Sequence, residues 1–434
     1  MEPVNVGIIG LGNVGTGSVD ILWNNWEQNT QKLGFPLWLR AVCSRNLENK
    51  KLPTGMERVI CTTDWREVVT HPEIDIICEL VGGTTVAREI IETAIANGKS
   101  VVTANKELMA LHGPEIWRKA AEANVNLAME ASVAGGVPIL NVLREGISGD
   151  RLTSLFGILN GTSNFILTEI EKHGAEFEDV LAEAQQLGYA EADPTADVDG
   201  FDARSKLAIL SALAFGKSVV PSEIYTEGIR RITPFDFQYA HELGYTIRLL
   251  CAARRVEQGL ILSVRPALIP LSTILAGVSG AYNAVWVRGD YGQDTFYYGR
   301  GAGPHPTGVA VVSDLMRVAR EIRGGSHDRV SPFAHAKLEN SSPVPLDSLQ
   351  TAYYIRFRVK DKPGIIATLS KILAEKGISL DAVLQVPCDE KENLPFVITV
   401  EPVEESSIRA ALEQMKDLDF LVEPPLALPM EKGL

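Results

Sequence analysis

Cysteine is scarce and scattered in this sequence. Five residues, Cys43, Cys61, Cys78, Cys251 and Cys388, are spread over 434 positions. Their number is odd and no pair has metal-ligand spacing, so we read reduced thiols in a cytoplasmic protein rather than a disulfide framework or a zinc site. An excess of basic residues is also missing. The formal charge of −14 excludes a general nucleic-acid or anionic-membrane binder, since both need a positive face; a local basic pocket stays open. No uncharged apolar run is long enough to span a bilayer. A strand-like run begins within a few residues of the start, so no signal peptide is expected. There is no internal repeat and no low-complexity tract. What is there is ordinary globular composition, 45% hydrophobic and 22% charged, in a chain long enough for two or three cores.

The first third alternates short apolar runs with helical patterns. Strands are expected at Val4–Gly10, Leu37–Cys43, Asp75–Val81, Lys99–Thr103 and Val125–Met129. Helices are expected after Asn13, near Val86–Asn97 and at Pro114–Ala123. This alternation predicts βαβ units in a parallel, doubly wound sheet of Rossmann type over residues 1–137. From 138 to 303 the pattern turns α+β, with helices at Phe177–Leu187, Ala203–Phe215 and Phe235–Leu250. Strands are expected there at Ser154–Leu159, Leu260–Ala267 and Ala284–Gly289. The helical period of Pro306–Ile322 suggests a return to the first domain, which residues 304–323 would complete. Residues 324–350, rich in Gly, Ser, Pro and His, read as a linker. A βαββαβ order then fills 351–434, from the strand Tyr353–Val359 and the turn Asp361-Lys362-Pro363-Gly364 to a last apolar run.

Gly10-Leu11-Gly12-Asn13-Val14-Gly15 fits G-x-G-x-x-G directly after a strand and at the start of a helix. Glycines there allow a tight turn and close backbone approach, and the helix N-terminus offers N–H donors to a pyrophosphate. The competing reading is a plain turn. The second strand ends Cys43-Ser44-Arg45 with no acid to accept from a ribose 2′-hydroxyl. A hydroxyl and a guanidinium suit a 2′-phosphate, which favours NADP(H) over NAD(H) unless Arg45 is merely solvated.

One lysine is out of place. On a helical wheel Lys206 lies about 40° from Leu210 and about 20° from Leu213, on the side a solvated lysine avoids. A desolvated ammonium needs a partner, and Asp202 at i−4 supplies one. Glu191, Asp193, Asp197, Asp199 and Asp202 make the preceding segment acidic. It is either a solvated loop with a structural ion pair or a site for a cationic substrate group beside a proton-donating lysine. Lys106 follows the strand ending at Thr103, at the end of a parallel sheet where such folds bind ligands; the plain alternative is a loop lysine.

Taken together these segments resemble the homoserine dehydrogenase family. The resemblance runs through the Gly10–Gly15 loop, Glu79-Leu80-Val81-Gly82-Gly83, Thr103-Ala104-Asn105-Lys106-Glu107-Leu108, and Glu130 to Pro138. It continues through Leu159-Asn160-Gly161-Thr162-Ser163-Asn164-Phe165, Gly188 to Pro194, Asp202, Lys206, Gly299 to Gly303 and Pro306-Thr307. Ser163 and Phe165 depart from the family's frequent Thr and Tyr. The resemblance implies reversible reduction of L-aspartate 4-semialdehyde to L-homoserine, with Lys206 as proton donor and Asp202 orienting it. It also implies that Glu191 holds the substrate's amino group, with Asp197 a further ligand, and that Lys106 sits between cofactor and substrate. Thr84 and Gly303 join the cofactor contacts. A monovalent cation, Na+ or K+, would fall on Glu130 and the backbones of Val133, Gly135 and Val137. The C-terminal segment resembles an ACT domain, for which L-threonine is the natural feedback effector and a structural module the alternative. A homodimer or homotetramer is expected. Two rivals stay open: an NADP-dependent enzyme for another amino-acid-derived aldehyde or imine, and a non-catalytic nucleotide and amino-acid sensor.

Overall fold

The computed structural model describes residues 2–326, 331–386 and 391–434. Contacts gather these into two units. One comprises residues 1–161, 202–224 and 281–342, the other residues 162–201, 225–280 and 343–434. Among the described residues no helix is long and apolar enough to cross a membrane.

The first unit is built on a six-stranded sheet of β1 (Val4–Ile9), β2 (Leu37–Cys43), β3 (Ile60–Thr62), β4 (Ile76–Glu79), β5 (Ser100–Thr103) and β6 (Leu127–Ala128). The strands lie in the order β3-β2-β1-β4-β5-β6, and every adjacent pair is parallel. Runs such as Val4–Ile9 and Ile76–Glu79 are apolar and almost wholly buried, as expected of strands covered on both faces. The order reverses between β1 and β4, which places the ligand crevice beyond their C-terminal ends. Helix Pro304–Arg323 packs on helix Asn13–Asn24. The approach is close enough that a Cβ on Gly17 would stand 2.2 Å from the Pro304 carbonyl oxygen. A three-stranded antiparallel ladder of Leu152–Ile158, Tyr282–Gly289 and Gln293–Arg300 completes the unit's strands of any length, together with most of helix Phe201–Phe215.

In the second unit Tyr245–Val256 and Gly259–Pro270 form an antiparallel hairpin. The last strand, Leu426–Met430, pairs parallel with Gly259–Pro270 and antiparallel with Gln350–Val359. Gln350–Val359 pairs with Leu394–Glu404, which pairs with Leu380–Leu384. Helices Ile365–Glu375 and Glu405–Met415 cover this sheet over a core including Ile355, Phe357, Leu369, Ile398 and Ile408. The C-terminal βαββαβ order is therefore present, and its final strand is also a strand of the hairpin's sheet.

Three expectations are corrected. Phe235–Leu250 is not one helix: helix Pro234–Glu242 stops and strand Tyr245–Val256 begins. Gly244 takes φ +81° at the break, the left-handed conformation that ends helices. The helix read at Pro114–Ala123 spans Lys106–Glu122, because the Asn105 side chain accepts from the Leu108 N–H and starts it early. The segment read as a linker is packed in part, while Ala336, Lys337, Glu339 and Asn340 are exposed. Phe333 is buried and sits where a Cβ on Gly113 would touch its ring, and His335 bonds the Leu213 carbonyl. The part of that linker at 327–330, and Cys388, lie outside the described residues. Cys43, Cys61, Cys78 and Cys251 are free thiols.

Candidate active site

Beyond β1 the glycine loop behaves as its sequence requires. A Cβ on Gly15 would lie 1.9 Å from the Gly10 carbonyl oxygen, whereas one on Gly12 would meet nothing within 4 Å. Gly12 is the N-cap of helix Asn13–Asn24 and no side chain caps it, so the first-turn amides of Asn13, Val14 and Gly15 are offered outward. A cavity of about 800 Å³ beside the loop is lined by Gly10, Gly12, Ser44, Arg45, Val81, Gly82, Gly83 and Thr84, while Asn13, Val14 and Gly15 are not part of that lining. Lys50 and Arg66 also line it. Neither was singled out from sequence, because nothing local marks a basic residue some 40 or more positions from a glycine loop as its neighbour. An anion there would meet the Gly10–Gly12 turn at the start of the helix and the basic side chains of Arg45, Lys50 and Arg66. Gly303 lies apart from that lining; it caps helix Pro304–Arg323 with φ +125°.

The loop over the cavity is tied down from below. Glu79, fully buried at the end of β4, accepts from the N–H groups of Val81 (2.8 Å) and Gly82 (3.2 Å) and from Thr103 Oγ1 (2.7 Å). Burial pushes its carboxyl above the ordinary glutamate value, against the lowering effect of these donors. Asn105 Nδ2 donates to the Gly83 carbonyl at 2.7 Å. The next residue, Lys106, opens the helix and ion-pairs with Asp202.

Lys206 is only 8% exposed, among Leu207, Leu210 and Leu213. Its ammonium donates to the Leu159 carbonyl at 2.7 Å and pairs with Asp202 Oδ2 at 2.7 Å. Asn160 Nδ2 donates to the same Asp202 oxygen at 2.9 Å, and Asn283 Nδ2 donates to the Leu159 carbonyl at 2.9 Å. Burial alone would raise the Asp202 carboxyl, but Lys206 and Lys106 outweigh it and hold it well below the usual aspartate range. One buried anion therefore serves two cations, Lys206 buried and Lys106 partly exposed. The Asp202–Lys206 pair was legible from helical spacing; Asn160, Asn283 and the Leu159 carbonyl were not, since they come from distant segments.

The remaining acids have separate surroundings. Asp197 belongs to the short helix Thr195–Val198, where its carbonyl accepts from Ser163 Oγ at 2.8 Å. Glu191 is exposed, and its carbonyl accepts from Gln185 Nε2. Asp193 accepts from the Thr195 N–H, and Asp199 pairs with Arg230 at 2.6 Å. Glu130 is buried and accepts from the N–H groups of Leu140 (2.9 Å) and Asn141 (2.7 Å), while its own N–H donates to buried Asp314. Burial and then Asp314 push the Glu130 carboxyl up to about 7. Ala134 and Gly135 both have positive φ, 55° and 53°. Among the described residues no three His, Cys, Asp or Glu side chains gather as a metal site.

A buried lysine thus shares one carboxylate with Lys106, whose neighbour Asn105 holds the loop over the cavity, and similarity to known proteins says what family this arrangement belongs to. Residues 10–130 match the homoserine dehydrogenase NAD-binding domain, residues 138–316 homoserine dehydrogenase itself, and residues 353–420 the ACT domain. The chain is 43% identical to a homoserine dehydrogenase of Pseudomonas aeruginosa, over 100% of both chains. The chain belongs to the homoserine dehydrogenase family. A crystal structure of a homoserine dehydrogenase from Thiobacillus denitrificans is 44% identical and superposes with a TM-score of 0.91, covering 99% of this chain and 98% of that one. A hyperthermophilic archaeal homoserine dehydrogenase solved with NADPH is 26% identical with a TM-score of 0.62, over 73% of this chain and 98% of that one. The chain is an oxidoreductase like its family, with a nucleotide-binding Rossmann domain, and it carries a C-terminal ACT domain.

Proposed function

We propose that this member of the homoserine dehydrogenase family interconverts L-aspartate 4-semialdehyde and L-homoserine with NADP(H) as preferred cofactor, and that Lys206 is its acid. The observation that carries the reading is the shared carboxylate: Asp202 holds both Lys206 and Lys106, and Asn105, next to Lys106, holds the cofactor loop. The bound nicotinamide supplies or accepts the hydride. What the chain must do is handle charge on oxygen, because reduction of an aldehyde makes an alkoxide that needs stabilising and one proton. An ammonium has three donors. In Lys206 two are spent on Leu159 and Asp202, and we assign the third to the substrate's oxygen. Lys106 stands between cofactor and substrate and adds a second positive charge. On the family's pattern Glu191 takes the substrate's ammonium, with Asp197 a further ligand.

Domain roles follow the sequence reading, with residues 1–137 and 304–323 for the nucleotide, 138–303 for substrate and dimerisation, and 351–434 for regulation by an amino acid such as L-threonine. The donor set around Glu130 suits a hard monovalent cation: one carboxylate with the carbonyls of Val133, Gly135 and Val137, near a second buried acid that a cation would offset. We read this site as structural, in a homodimer or homotetramer.

The test is NADPH absorbance during homoserine oxidation. Lys206→Ala should lower kcat by a factor of about 10²–10⁴, the range of positioned acid–base catalysis, while NADPH still binds. Equal turnover in the two proteins would remove Lys206 from the chemistry. Arg45→Ala should raise the KM for NADP about tenfold, the usual worth of one charge-assisted contact, with the KM for NAD little changed. A parallel loss for both cofactors would sink the assignment of Arg45 to the 2′-phosphate.

A further inference from the structure

We propose that Glu79 is a positioning residue that holds the Val81–Gly82 cofactor loop and the Lys106 helix in one register, acting through Thr103 and Asn105. The proposal rests on the role given to Lys106 above and adds the part that fixes it relative to the cofactor.

The strand Ile76-Ile77-Cys78 is wholly apolar and buried, yet it ends in a carboxylate with no exposure. Such a group is costly unless its lone pairs are filled. Here each oxygen has a distinct task. Oε1 accepts the N–H groups of Val81 and Gly82, which line the cofactor cavity. Oε2 accepts the Thr103 hydroxyl. That hydroxyl accepts in turn from the Asn105 N–H at 3.0 Å. The Asn105 side chain then divides: Oδ1 caps the Lys106–Glu122 helix at Leu108 (3.1 Å), and Nδ2 returns to the Gly83 carbonyl. The bonds close a ring from the loop through Glu79, Thr103 and Asn105 back to the loop, with Lys106 attached to its far side. Three donors on two oxygens fit a carboxylate. A glutamine would keep one acceptor oxygen for the loop amides but could meet Thr103 only by donating to its hydroxyl, which reverses that bond and removes the charge. The ring lies beyond the β1/β4 reversal, where the crevice of this fold opens. Misplacing a reacting group by about 1 Å costs up to roughly a hundredfold in rate, so a clamp here bears directly on turnover.

The experiment uses the full chain and compares Glu79→Gln, Thr103→Val, their double variant, Thr103→Ser and Lys106→Ala. NADPH affinity is read by fluorescence titration, turnover by absorbance, and the folded fraction by thermal unfolding. Glu79→Gln is expected to weaken NADPH binding about tenfold and lower kcat by a similar factor, the usual size of one lost charged hydrogen bond. Thr103→Val should lower kcat about tenfold with NADPH affinity within about twofold of wild type, and Thr103→Ser should restore it. The double variant should lose no more kcat than the worse single one, since both break one ring. Multiplying losses, or losses that only track the folded fraction, would overturn the proposal. If Glu79→Gln does not fold, the two Thr103 variants decide between the clamp and a merely structural role by the same readouts. Full turnover in Lys106→Ala overturns the role of Lys106, whereas unchanged NADPH affinity and kcat in folded Glu79→Gln overturns the clamp.

Discussion

Two charged clusters, one in each unit, are balanced in opposite ways. Around Lys206 two ammonium groups share the single carboxylate of Asp202. In the other unit the buried guanidiniums are matched or outnumbered by anions. Arg356 meets Asp236 and Glu423, and Arg265 meets Glu405, which also accepts the Tyr353 hydroxyl. Asp236 further accepts from Tyr354 and Thr233. These pairs lie between the C-terminal sheet and the segments before it, Pro234–Glu242 and Gly259–Pro270, whose strand the last strand joins. A cluster with cations in excess has positive charge left for a further anion, which is the role proposed above for Lys206. A neutralised cluster is a fastening, and it ties the ACT domain to the hairpin within its own unit.

The contrast can be broken by removing each anion. Asp202→Asn takes away the charge that both lysines share while keeping its shape. We expect kcat to fall by about 10²–10³, as when an orienting group of a catalytic pair is lost, with a smaller loss of stability. A variant that stays folded with wild-type kcat would make the pair structural like the others. Asp236→Ala should do the reverse. It leaves Arg356 buried with its nearest partner gone, which costs about 3–5 kcal/mol, seen as a lower denaturant midpoint. Turnover per folded molecule should hold. Should Asp236→Ala leave the midpoint where it was, the fastening reading fails.

How much of this could be read from the chain alone depended on range. The doubly wound sheet was legible because its strands are short apolar runs between helices, and the Asp202–Lys206 pair because four residues is one helical turn. Strand Gln293–Arg300 was not, since Gln-Asp-Thr-Phe-Tyr-Tyr-Gly-Arg is an edge strand, paired on one side and buried nowhere; it carries no alternation to detect. Helix Lys106–Glu122 was half-read because Pro114 normally opens a helix, and here it lies inside one. The groups that hold Lys206, namely Leu159, Asn160 and Asn283, stand 46 or more residues from it in the chain. No spacing rule reaches that far. The same is true of Lys50 and Arg66 in the cofactor cavity. Their placement follows from the tertiary fold, which the motif announces but does not draw.

The subtlest distinction between the two kinds of cluster is in acid. The Asp202 carboxyl is depressed in the folded protein by Lys206 and Lys106, so the folded state binds fewer protons there than the unfolded chain. Its contribution to stability is complete above the unfolded value of about 3.9 and is lost as pH falls through the lower folded value. Asp202→Asn should therefore flatten the acid limb of the unfolding free energy below about pH 4, measured by denaturant titration, and leave the curve between about pH 5 and 8 parallel to wild type. An acid limb as steep in Asp202→Asn as in the parent would mean that Lys206 and Lys106 do not share this carboxylate as a charge. The excess of cations on which the comparison rests would then be absent.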